Sequence, residues 1–308
     1  MQSLRFSQVD VFSEKPMRGN PVAIVHCDAA PTDRSMQLTA KWLGLSETVF
    51  LMPPLDPRAD YRVRIWTTLG ELPFAGHPTL GACHAWVEGG GRPKGANVVQ
   101  ECGVGLITVR PQHGAGTGPL GEKFGIDEPS QRSYPASGRW AFRAPPLTNN
   151  EALAPQLLRQ VCEGLGVCVE DVVDSAWVDN GAGWLALRLI NAASVLSVVP
   201  DYSKLTGLAV GIIAPADDLA LGETAVFESR AFIAGDAVPE DPATGSLQAG
   251  IGVWFSRKGV GSDRYLVMQG TALGKAGRIS IERINGEIWV GGRTTTCIGG
   301  VISLDEAC

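Results

Sequence analysis

The chain is poor in the residues that mark the commonest specialised sites. Its 308 residues include seven cysteines, at 27, 83, 102, 162, 168, 297 and 308, an odd number with no Cys-x-x-Cys pair. A disulfide framework and a structural zinc site are therefore disfavoured. Histidine is scarcer still, at 26, 77, 84 and 113, and none has His-Glu-x-x-His spacing, so no metal site is expected. Basic tracts are missing: 26 Lys+Arg against 32 Asp+Glu give a net charge of −6, which argues against a nucleic-acid partner. No apolar run is long enough to span a membrane, and the best stretch, 184–200, is broken by Arg188 and Asn191. The opening MQSLRFSQVDVF lacks the charged-then-apolar pattern of a leader, so a cytoplasmic location is expected. Nucleotide motifs fail too. Gly270 to Lys275 has the wrong spacing for a phosphate loop, with Ala276 where Ser or Thr is needed, and Gly114–Gly118 runs into Pro119 rather than a helix. No Gly-x-Ser-x-Gly occurs.

What is present is a globular chain, 44% hydrophobic and 19% charged, long enough for about two domains. Alternating or β-branched runs predict strands at 4–12, 21–26, 48–52, 61–68, 104–110 and 139–144. Helical spacing predicts a helix over 32–43, capped by Thr32 or Asp33 and ended by Gly44, and another over 78–87, opened by His77-Pro78. Residues 111–138 are rich in Gly, Pro and Ser and read as a loop near a domain crossing. The pattern then partly repeats. A helix capped by Asn149 or Asn150 runs to about 164, strands follow at 171–178, 183–189, 194–198, 208–213 and 228–234, and a helix spans 244–257. Strands at 278–284, 287–292 and 296–303 close the chain. Two self-matches point to duplication. Residues 37–47 resemble 156–167, and Arg64, Trp66 and Leu72-Pro73 match Arg230, Phe232 and Val238-Pro239 at an offset of 166.

The polar residues gather at two predicted helix starts, 71–79 (Glu-Leu-Pro-Phe-Ala-Gly-His-Pro-Thr) and 240–246 (Glu-Asp-Pro-Ala-Thr-Gly-Ser). Facing each other across a cleft, their free N–H groups and dipoles would hold a carboxylate. The plainer reading is that Asp241, Thr244 or Ser246 only caps its helix. Glu47, between a Gly-ended helix and the strand 48–52, reads either as a partly desolvated acid/base or as a solvated loop carboxylate. His77 reads as an acid/base, a substrate donor or a cap. Asn20, in Gly19-Asn20-Pro21, holds a substrate carboxylate or forms the turn, and Gln269-Gly270 carries the same ambiguity.

Six segments occur in a familiar order: Asp10-Val-Phe, Gly19-Asn20-Pro21, Leu45-Ser46-Glu47-Thr48, Pro73-Phe-Ala-Gly-His77-Pro78, Asp241-Pro-Ala-Thr-Gly-Ser246 and Gln269-Gly270. Together they resemble the phenazine-biosynthesis (PhzF-like) isomerases of the diaminopimelate-epimerase fold. The resemblance spans residues 10 to about 300. It implies an α+β fold of two similar domains, each a mostly antiparallel sheet wrapped around a central helix, with the active site between them. The expected domains are 1–143, with the strand 295–308 open to rejoining it, and 144–294. The resemblance also implies a homodimer that works without a cofactor on a small carboxylate-bearing substrate. Glu47 would shift a proton between substrate carbons, with His77 and Asp241 beside it. Asn20, Gly76, Thr244, Gly245, Ser246 and Gly270 would contribute to substrate binding. True diaminopimelate epimerases carry a cysteine at each helix start. Neither start has one here, and Cys83 lies about two turns into its helix, so a two-cysteine racemase is disfavoured. The alternatives are an amino-acid epimerase using two carboxylates, Glu47 and Asp241, and a non-catalytic small-acid-binding protein.

Overall fold

A computed structural model describes residues 2–112, 138–216, 225–235 and 238–304. The loop-rich stretch read at 111–138 lies almost wholly outside them, as do His113 and Cys308. The first half runs β1 (Gln2–Val11), β2 (Asn20–His26), α1 (Asp33–Leu43), β3 (Thr48–Met52), β4 (Tyr61–Trp66), β5 (Glu71–Leu72), α2 (Gly76–Glu88), β6 (Val98–Cys102), β7 (Gly105–Pro111) and β8 (Arg139–Arg143). After α3 (Pro155–Leu165), the second half runs β9 (Val172–Trp177), β10 (Trp184–Leu189), α4 (Ala192–Leu196), β11 (Ala209–Pro215), β12 (Ala225–Ile233), β13 (Glu240–Asp241), α5 (Gly245–Lys258), β14 (Arg264–Gln269), β15 (Gly277–Ile284) and β16 (Glu287–Leu304).

The two halves repeat element for element. In the first, β2–β3 and β4–β6 pair parallel and the other neighbours antiparallel. In the second, β10–β11 and β12–β14 are the parallel pairs. A parallel pair needs a crossover, and each crossover holds a helix: α1 and α2 in one half, α4 and α5 in the other. This topology supports the Arg64/Arg230 match, since both arginines lie on equivalent strands and each pairs with the glutamate that opens the next short strand, Glu71 or Glu240. It overturns the match between 37–47 and 156–167. The counterpart of α1 is α4, and α3 precedes the second repeat.

The long strand β16 joins the halves. Residues 287–291 pair with β15, 289–293 with β8 and 294–304 with β1. The β1–β16 pairing closes the first sheet into a barrel around α2. Being enclosed, α2 and α5 lack a polar face, unlike the outer helix α1, where only Ser35, Met36, Thr39 and Ala40 are buried. Small residues allow the close wrap: a Cβ on Gly250 of α5 would come within 2.2 Å of the Val178 carbonyl. One apolar core runs through both halves, including Phe74, Leu80, Val178, Leu247 and Ile251. Smaller clusters lie under α1 and beneath α3 and α4.

Some local readings differ. Residues 194–198, read as strand, belong largely to the helix α4, which Asn191 caps by accepting the Ser194 N–H at 2.9 Å. The helix read from Asn149 begins at Pro155, where a missing N–H costs nothing, while Asn149 bridges to Asp179. The runs read as 287–292 and 296–303 form one strand, because pairing to β8 and β1 carries it through the polar residues between them. Strands β6 and β14 and the short β5 and β13 escaped the periodicity. Among the described residues, no helix is long and apolar enough to cross a membrane.

Candidate active site

Between the halves lies a cavity of about 310 Å³. The starts of α2 and α5 meet at its floor in backbone contact: a Cβ on Gly76 would lie 2.5 Å from the Gly245 carbonyl carbon and 2.6 Å from the Ser246 nitrogen. Neither N-cap residue, Ala75 or Thr244, caps its helix with its side chain. The first-turn N–H groups of Gly76, His77, Gly245 and Ser246 have no acceptor within their own helices, and both dipoles point their positive ends at this place.

The cavity is lined by Glu47, Gly76, His77, Asp241, Thr244, Gly245 and Ser246, so seven of the nine expected site residues meet there. Asn20 and Gly270 are not among the lining residues. Asn20 is fully buried behind them, and its amide Nδ2 donates to Asp241 Oδ1 at 2.8 Å and to the Ala243 carbonyl at 2.9 Å. Gly270 has φ +86°, and a Cβ there would stand 2.6 Å from the Pro242 carbonyl, so it backs the Asp241 loop from outside. Gln269 does related work, with Nε2 donating to the Asp241 carbonyl at 2.9 Å and to Thr244 Oγ1 at 2.7 Å.

That last bond fixes a direction. With Gln269 donating to the Thr244 hydroxyl, the hydroxyl proton goes to Asp241 Oδ2, 2.6 Å away. Asp241 Oδ1 accepts from Asn20 and from Ser46 Oγ at 3.3 Å. Both carboxyl oxygens of Asp241 are thus engaged as acceptors.

His77 Nε2 lies 3.3 Å from Glu47 Oε2, with His77 buried and Glu47 13% exposed. Burial pushes the His77 pKa down from 6.5 to about 3, against a smaller opposing effect of a ring N–H bonded to the Pro21 carbonyl. His77 is therefore neutral at physiological pH, and the contact is a carboxyl–imidazole pair rather than an ion pair. Asn20 Nδ2, which donates to Asp241 and Ala243, also lies 3.1 Å from His77 Nδ1.

Sequence reading missed Trp184 and Glu71 as cavity residues. The Trp184 indole donates to Ser246 Oγ at 3.0 Å, and Glu71 sits at the rim, clasped by Arg64. Glu71 falls within the 71–79 segment, so its signal was available. Trp184 opens an ordinary apolar strand and carried none. Trp184→Phe should lower stability by about 1 kcal/mol in urea unfolding; an unchanged midpoint would show that the indole bond contributes nothing. Cys83 is fully buried inside α2, with its thiol pKa pushed well above the usual 9.0 by burial. It supplies no thiolate to the cavity.

Burial also lowers His26, to about 4. The unfolded chain takes up these protons near pH 6.5 and the folded chain only near 4 (His26) and 3 (His77). Between those values the unfolded state holds more protons, so stability falls as pH falls, by about 1.4 kcal/mol per pH unit for each such histidine. Urea midpoints at pH 7.5, 6 and 5 should show this decline, with a shallower slope in His77→Asn; equal slopes would contradict the buried neutral imidazole.

Two strand-wrapped helices meeting end to end under a carboxyl-lined cavity define the class: a protein of the diaminopimelate-epimerase type of fold. The phenazine biosynthesis-like protein family matches residues 9–300, and the chain belongs to that family. Antisense-enhancing sequence 1 of Schizosaccharomyces pombe is 34% identical over 96% of this chain and 97% of its own length. Trans-2,3-dihydro-3-hydroxyanthranilate isomerase of Pseudomonas chlororaphis is 25% identical over 87% of this chain and 86% of its own. Among solved structures, the phenazine biosynthesis protein of the PhzF family from Bacillus anthracis superposes with a TM-score of 0.74, at 19% identity over 98% of this chain and 100% of that one. The chain is thus a member of an isomerase family.

Proposed function

We propose that the protein is a cofactor-independent isomerase of a small carboxylate-bearing substrate, with Glu47 as its single proton-transfer base. The observation that carries this reading is the pairing of Glu47 with a buried neutral His77 in the cavity, together with its absence from the repeat. The residue before β3 is Glu47, the residue before β11 is Leu208, and the second position of the other helix is Ser246. Only the first half therefore places a carboxylate at this position. A carbon acid bound there would lose a proton to the Glu47 carboxylate and regain it at another carbon, with no net change in charge or oxidation state. None of the described lining residues is Lys or Arg, so the substrate carboxylate would rest on the N–H groups of the two helix starts, which also stabilise enolate-like charge. His77 would share the proton on Glu47, and Asp241 would hold Thr244 and Ser46 toward the substrate.

The two-carboxylate epimerase would need Asp241 as a second base. The acceptor bonds on both of its oxygens favour the single-base reading. A binding protein without catalysis would leave the Glu47–His77 pairing without a use. The family relative suggests trans-2,3-dihydro-3-hydroxyanthranilate as the first compound to test, beside other small cyclic unsaturated acids and L- and D-amino acids. In D₂O the protein should place deuterium on a ring carbon without inverting an α-carbon. Inversion at one carbon would favour the epimerase, and binding without exchange would favour the non-catalytic protein. A family homodimer in a cytoplasmic setting completes the proposal, and sedimentation velocity tests the dimer.

A further inference from the structure

Asp10, in the Asp-Val-Phe segment, has no role in the chemistry above, yet it is 3% exposed and its carboxylate gathers three backbone N–H groups. Gly19 N–H lies 3.1 Å from both of its oxygens, Arg18 N–H donates to Oδ2 at 3.1 Å, and the Met17 N–H also bonds to it. These bonds hold a turn that is otherwise unfavourable. Met17 has φ +65° with its side chain largely exposed, so no packing of that side chain offsets the left-handed backbone. At Gly19 the chain passes so close that a Cβ would meet the Val11 carbonyl at 2.1 Å and Asp10 Oδ1 at 3.1 Å.

The turn reaches the second half at both ends. Arg18 donates through Nη1 to the Gly274 carbonyl at 2.6 Å, and its own carbonyl accepts from Ala276 N–H at 2.7 Å. Asn20, the next residue after Gly19, sends its amide to Asp241 and Ala243 and packs on the ring of His77. We propose that Asp10 is a positioning residue for the active site: by holding the Met17–Gly19 turn it sets the Asn20 amide, which ties His77 to the Asp241 loop. The carboxylate bonds of Asp10 all fall in this turn, so its influence on the cavity runs through Asn20. This inference rests on the isomerase reading for its catalytic consequence and on the geometry alone for the placement of His77.

Two readouts separate these dependencies. The first is the ¹⁵N spectrum of the protein labelled at histidine, with the His77 ring signals identified by their loss in His77→Asn. The second is deuterium exchange into the cyclic acid tested above. Asp10→Ala should shift the His77 ring signals and lower kcat on the order of 10²-fold with KM little changed, the size expected from displacing a reacting group by about 1 Å. Asp10→Asn keeps one acceptor oxygen and should recover part of both, and it carries the test if the alanine variant does not fold. A merely structural Asp10 would lower the urea midpoint and leave the His77 signals and the turnover per folded molecule as in the wild type; that result overturns the proposal. If the wild type shows no exchange with any acid, the isomerase reading fails, while unchanged or shifted His77 signals still decide the role of Asp10.

Discussion

Glu47→Gln is expected to reduce proton exchange by about 10²–10⁴-fold while leaving the urea midpoint near that of the wild type. Glutamine has the same shape and can still contact His77, so substrate fit and packing should persist. What disappears is a group able to accept and return a proton. His77 cannot replace it readily. Burial holds its pKa near 3, so the imidazole is a poor base at neutral pH, and no second carboxylate occupies the corresponding place before β11. Full exchange activity in a folded Glu47→Gln enzyme would remove Glu47 from the role and return attention to Asp241.

Gly76→Ala should be strongly destabilising, costing about 3 kcal/mol by urea unfolding. The added Cβ would meet the Gly245 carbonyl carbon at 2.5 Å, the Ser246 nitrogen at 2.6 Å and the Gly245 Cα at 2.7 Å. All three are backbone atoms, so no side chain can turn away, and the two helix starts must separate. Separation would also spoil the shared N–H cradle. The reciprocal Gly245→Ala places its Cβ at 3.0–3.1 Å from the Gly76 and His77 backbone, so a smaller loss is expected. Equal stabilities of wild type and Gly76→Ala would show that the helix starts are not in contact in solution.

Much of this was legible without coordinates, for reasons that lie in local chemistry. Thr32 and Gly44 bracket α1 because one caps an N-terminus and the other takes the left-handed conformation at a C-terminus. The helix starts at 76 and 245 stood out because polar and small residues interrupt apolar sequence there. Their meeting did not, since contact across 169 residues of chain leaves no local mark. Asn20 shows the limit most clearly. Gly-Asn-Pro reads locally as a turn or as a holder of substrate carboxylate, and nothing local tells that the side chain reaches Asp241 and Ala243 more than 220 residues away. Gly270 likewise carries its constraint from Pro242 rather than from its neighbours.

The residues alone determined that two polar helix starts exist, that neither bears a cysteine, and that a glutamate precedes β3. These are properties of short segments, set by capping, backbone freedom and side-chain chemistry. Tertiary structure alone decided that β16 belongs to both sheets, that α4 rather than α3 repeats α1, and that Glu47 meets a neutral His77 over two touching helix ends. Those outcomes depend on strand pairing and burial between distant segments, and burial is a property of the folded whole.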